Sequence, residues 1–101
     1  MESSPSRLEV NRVDDALRLA GVIDSHTAGE LEDCLAGLDS VRSLELDLSG
    51  VDFIDSSGLR AIVSHHKERQ DQDRELVLTG RSEAVERLLE ITGLTEHLHL
   101  G

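Results

Sequence analysis

An aspartate, two adjacent serines and a glycine stand together in "VDFIDSSGLR", residues 51–60, between two hydrophobic segments. Asp55, Ser56, Ser57 and Gly58 suit the start of a helix, where unpaired N–H groups and a partial positive charge gather. Such a start welcomes a capping side-chain oxygen or a phosphoryl group equally well. The stretch therefore has two readings: Asp55 or Ser56 is an ordinary helix cap, or an exposed serine accepts phosphate. A phosphoryl group there would add about −1.5 to −2 charge without unfolding the domain, so its effect would fall on a partner. Arg60 places a cation one helical turn on. A second polar cluster, Asp24, His26 and Thr27, lies in "GVIDSHTAGEL".

Catalysis by these residues is not expected. His65 and His66 lie roughly 14 Å along a helix from Ser56 at about 1.5 Å per residue, too far for a base to reach the hydroxyl. A Ser56, His26, Asp24 cluster can be drawn, yet no G-x-S-x-G element surrounds the serine. No Walker motif or G-x-G-x-x-G element is present either, and no cofactor is expected. Cys34 reads as a small core thiol, and His97 and His99 as exposed side chains rather than metal ligands.

Composition narrows the partners. Ten basic against twenty-one acidic residues in 101 give a net charge of −11, which repels nucleic acid and anionic lipid. Phe53 is the one aromatic residue, so base stacking is not available. No signal pattern opens the chain and no apolar run reaches the roughly 18 residues that span a bilayer. A cytoplasmic protein that recognises another protein is expected, monomeric when free and without membrane insertion.

Several elements must position the two polar clusters. Residues 1–7 read as a flexible leader and 8–101 as one domain. "LEVNRV" and "ALRLAG" alternate apolar with polar around an acidic pair and predict a hairpin, with Val13 to Ala16 holding the turn. Leu31, Cys34, Leu35 and Leu38 fall at helical spacing after a Thr27–Glu30 capping box. "SLELDLSG" predicts a strand buried on the side of Leu44, Leu46 and Leu48. Val51, Phe53 and Ile54 then read as apolar anchors for the loop. A second helix carries Leu59, Ile62, Val63 and His66 inward and fades into a solvated "KERQDQDRE". "ELVLTG" is a strand. Ser82 caps a third helix, with Val85, Leu88 and Leu89 inward and Gly93 as its stop. "LTEHLHLG" is a short edge strand or an irregular tail. The class is α/β, a mixed sheet of four to five strands with helices mainly on one face. In such a sheet both polar clusters emerge at the same carboxyl-end edge.

"GVIDSHTAGEL", "LELDLSGVDFIDSSGLRAIV" and "LLEITGL", at this spacing over roughly residues 8 to 98, resemble the STAS domains of bacterial anti-sigma factor antagonists. The resemblance implies that Ser56, first of the serine pair, is the phosphorylation site. It sets Asp24 beside it at the partner-binding edge, with Asp55 preceding the phosphosite; Thr27, Ser57 and Gly58 are expected to shape that edge, and Arg60, where many members carry a small residue, to add a cation to it. The implied partners are an anti-sigma factor serine kinase, which the unphosphorylated antagonist binds to free a sigma factor, and a serine phosphatase that resets the system. Shorter STAS proteins serve as accessory subunits of bacterial lipid-transport ABC systems. This is the alternative, and the intact Asp-Ser-Ser-Gly element favours the antagonist.

Overall fold

Strand β1 (Leu8–Val13) turns back into β2 (Ala16–Ile23) with Val13 opposite Ala16, so Asp14 and Asp15 alone make the turn. Asp14 takes a φ of 54°, a left-handed conformation that aspartate adopts more readily than most residues. The computed structural model describes residues 8–38, 41–94 and 98–100; the expected leader at 1–7 lies outside them. After the hairpin come α1 (Ala28–Ala36), β3 (Ser43–Ile54), α2 (Ser56–Asp71), β4 (Glu75–Thr79), α3 (Glu83–Thr92) and β5 (His99–Leu100).

The five strands lie in the order of the chain, with β1 antiparallel to β2 and every later pair parallel. Crossovers between parallel strands are right-handed, and a strand order that never reverses keeps successive crossover helices on one face. Burial agrees with that geometry. Leu44, Leu46 and Leu48 of β3 are buried, whereas Glu45 and Ser49 between and beyond them are exposed. The core joins them to Leu17, Leu19 and Ile23 of β2, Leu31 and Leu35 of α1, Leu59 and Ile62 of α2, Leu76 and Leu78 of β4, and Val85 and Leu89 of α3. Each such side chain contributes about 1.5–3 kcal/mol on burial. Leu88 packs against this core while only partly buried. Ser82 caps α3 by accepting from the Val85 N–H, and Gly93, at φ 71°, ends it. No helix among the described residues is long and apolar enough to cross a membrane.

Expectations for β3 and for the end of α2 are corrected by the packing of neighbouring elements. Strand β3 does not end at Gly50 but continues to Ile54, and it contributes one extra residue relative to β2 in two places, between Asp47 and Gly50 and between Val51 and Phe53. Each bulge shifts the inward–outward alternation by one. The first turns Val51 inward and the second restores the original alternation, so Val51 and Ile54 anchor the loop while Phe53 points outward, 50% exposed. The second correction concerns "KERQDQDRE". Arg69, in its middle, is 1% exposed. Its guanidinium donates to the carbonyls of Leu38, Val41 and Glu75, stitching the end of α2 to the segment after α1 and to β4.

Candidate functional site

The sheet sends β2 and β3, parallel neighbours, to a common edge. There the Asp55 N–H donates to the Ile23 carbonyl at 3.1 Å, tying the end of one strand to the end of the other. Gly58 tightens this junction. A Cβ on it would stand 2.5 Å from Ile23 Cγ2 and 2.8 Å from the Ile23 carbonyl oxygen, so only glycine lets the first turn of α2 rest against β2. The two polar clusters do meet at one edge.

Within the loop after β2, nearly all the polar chemistry is internal. Asp24 Oδ1 accepts from the N–H of His26 at 2.9 Å and of Thr27 at 3.2 Å. The Thr27 hydroxyl accepts from the Asp24 N–H at 2.9 Å and donates to the Val22 carbonyl at 3.0 Å. Asp24 is 7% and Thr27 5% exposed. The expected Thr27–Glu30 capping box is not formed, because the hydroxyl is committed to this turn and makes no cap bond to α1. His26 remains exposed, its Nδ1 3.9 Å from Asp24 Oδ1.

The loop after β3 is divided differently. Asp55 is the cap of α2, in extended conformation, with Oδ1 accepting from the Gly58 N–H at 3.0 Å. Ser56 is thereby relieved of that task. It occupies the first helical position, exposed, and its hydroxyl makes no hydrogen bond to another described residue. Ser57 beside it is half-buried. No imidazole is bonded to Ser56, so the drawn Ser56, His26, Asp24 cluster is not a hydrogen-bonded relay. His65 and His66 are buried on the inner face of α2.

A groove that the sequence did not signal runs beside Ser56. It has a volume of ≈ 250 Å³ and is lined by Ser56, Leu59, Arg60, Val63, Thr92 and Leu94. Leu59 and Val63 pack in or against the core, as their helical spacing predicts, and also floor this groove; nothing in "TGL" tells that the end of α3 returns to the start of α2. Ile91, 74% exposed, stands on the same end of α3. Arg60 is exposed and makes no ion pair or hydrogen bond with another described residue.

The STAS domain family matches residues 7–101. The chain belongs to this family. An anti-sigma-B factor antagonist of Staphylococcus aureus is 35% identical to this STAS domain over 87 residues, covering 84% of this chain and 81% of the relative. Among solved structures, an anti-sigma factor antagonist from Mycobacterium paratuberculosis superposes with a TM-score of 0.77 at 29% identity, over 92% of this chain and 82% of that one. The Bacillus cell fate determinant SpoIIAA in its phosphorylated form shares the fold, with a TM-score of 0.67 at 15% identity over 93% and 90% of the two chains.

Other reactive side chains of the STAS domain have structural surroundings. Cys34 packs against the core, and burial, with Glu30 and Asp33 nearby, pushes its thiol above the ordinary range. It is held protonated at neutral pH, the unreactive form. Among the described residues no three His, Cys, Asp or Glu side chains are placed to hold a metal; His97 lies outside them.

Proposed function

We propose that this STAS domain is an anti-sigma factor antagonist: unphosphorylated, it binds an anti-sigma serine kinase and releases a sigma factor, and phosphorylation of Ser56 by that kinase ends the binding. The observation that carries this reading is the division of labour at the start of α2, where Asp55 caps the helix and leaves the Ser56 hydroxyl exposed and unspent. The names of the relatives support the antagonist role.

In the transfer step the Ser56 oxygen attacks the γ-phosphorus of ATP held by the kinase. The bond to the β,γ-bridging oxygen breaks, ADP leaves, and the hydroxyl proton passes to a base of the kinase. This chain supplies the acceptor and needs no cofactor of its own. The new dianion lies on the same edge as the carboxylates of Asp24 and Asp55, so the partner meets added bulk and like charge where it requires close contact. Thr27, Ser57 and Gly58 shape that edge, and Arg60 borders it. A phosphatase resets the serine. The protein acts in the cytoplasm as a monomer when free, as a ligand and a substrate rather than an enzyme.

The test uses wild type, Ser56→Ala and Ser56→Asp as baits in a native lysate with ATP, with partners and phosphate read by mass spectrometry. A kinase held by the alanine variant, released by the aspartate variant, and phosphate on wild-type Ser56 are expected. Capture of ABC transporter subunits by all three baits, with no phosphate on Ser56, would replace this reading with the accessory-subunit one.

A further inference from the structure

We propose that Arg60 is the intramolecular receptor for the phosphate on Ser56, so that one modification both adds a dianion to the docking edge and withdraws its cation. The inference rests on the switch reading of Ser56 and states where its phosphate goes.

Three observations point there. Ser56 and Arg60 are four residues apart on α2 and line the same groove, about 6 Å apart along the helix axis, a separation at which side chains of opposite charge pair. The guanidinium is exposed and unengaged among the described residues. Three other arginines are occupied: Arg18 faces Asp47, Arg81 pairs with Glu86, and Arg69 is committed to backbone carbonyls; Arg60 is the arginine that lines the groove with Ser56. The third observation concerns the opposite direction. A phosphate on a first-turn serine ordinarily turns toward the amides of the helix start. Here the Asp55 carboxylate already accepts from the Gly58 N–H, so a phosphate turning that way meets like charge. Arg60 is the positive group left on its other side.

The remaining groove residues do not compete. Leu59, Val63, Thr92 and Leu94 carry no charge, and the Thr92 hydroxyl donates to the Leu88 carbonyl. The planar fork of a guanidinium accommodates two phosphate oxygens at once. The resulting pair spans the mouth of the groove, so the phosphorylated domain presents to a partner a covered groove whose one lining cation is engaged.

The experiment installs phosphoserine at position 56 during translation, without any kinase, in wild type, Arg60→Ala and Arg60→Lys. Phosphorus NMR then follows the second ionisation of the phosphate against pH. A nearby cation favours the dianion and lowers its pKa. The wild-type value is expected roughly half a unit below that of Arg60→Ala, with Arg60→Lys between them and the gap narrowing in salt. Arg60 is an exposed helical side chain, so all three proteins should melt alike. Equal pKa values in wild type and Arg60→Ala would overturn the proposal, even if the phosphate abolishes binding of the kinase. A lowered wild-type pKa in a phosphorylated chain that still binds the kinase would support the pairing and reject the switch instead.

Discussion

In the loop after β2, an aspartate and a threonine turn inward and bond to each other's backbone, to His26 and to Val22. In the loop after β3, an aspartate of the same type caps a helix and leaves the neighbouring serine outside, with no bond to another described residue. The two loops share residue types, sheet edge and direction, and differ in what remains unspent. The first is built to hold a shape, whereas the second holds a shape with one side chain and exposes a hydroxyl with the next. A modification at Ser56 therefore leaves the cap in place, whereas the same modification at Thr27 would break two hydrogen bonds in a buried turn.

That contrast is broken most severely at the junction between the loops. Gly58→Ala puts a methyl group inside the van der Waals radius of Ile23, and either α2 or the end of β2 must move. The expected loss is ~2–3 kcal/mol. Thermal melting should fall by about 10–20 °C for a domain of this size. A melting point within two degrees of wild type would mean that the two loops are not rigidly joined. Asp24→Ala is the next largest. It removes a buried side-chain acceptor for two N–H groups, at a cost of ~2 kcal/mol. Asp24→Asn keeps an acceptor oxygen and should retain most of the stability. If the asparagine variant melts like wild type yet binds the kinase weakly, the charge of Asp24 belongs to the docking edge as well as to the turn.

Much of this arrangement was legible in the sequence, because period and punctuation carry it. Leu44, Leu46 and Leu48 alternate, Leu31 and Leu35 fall one helical turn apart, and an acidic pair marks the hairpin; all three produced the expected elements. The meeting of the two polar clusters followed from parallel strand order alone. What was not legible depends on contacts distant in sequence. The inward turn of Val51 comes from the first of two bulges where β3 pairs with β2 out of step, and the second restores the alternation that leaves Phe53 outside. Arg69 sits in a run of charges that reads as solvated, and it is buried because carbonyls some thirty residues earlier need donors. Thr27 had two uses open to it, a helix cap or a turn, and the choice was settled by the nearby Val22 carbonyl and Asp24 N–H. The groove beside Ser56 requires the end of α3 to reach the start of α2, which no local pattern encodes.

Smaller effects separate the cap from the acceptor. Asp55→Ala removes the bond to the Gly58 N–H and should cost about 1 kcal/mol, recovered in large part by Asp55→Asn. Denaturant titration of the purified variants measures both. A loss well above 2 kcal/mol would show that losing the cap also disturbs the backbone bond from residue 55 to Ile23, which alanine can itself make.

The smallest stability change is expected at the serine proposed to accept the phosphate. Ser56 makes no hydrogen bond to another described residue and is exposed, so Ser56→Ala should change the unfolding free energy by less than about 0.5 kcal/mol. Ser56→Asp places a negative charge in the first turn of α2, where the helix dipole favours it, although Asp55 alongside offsets part of that gain; it too should melt within a few degrees of wild type. Denaturant titration of both variants, set beside their affinity for the kinase, separates fold from function at this position. Unchanged stability with binding that persists in alanine and fails in aspartate means that Ser56 acts on the partner alone. A loss of more than about 1 kcal/mol in Ser56→Ala would instead make the hydroxyl part of the cap, and the contrast between the two loops would disappear.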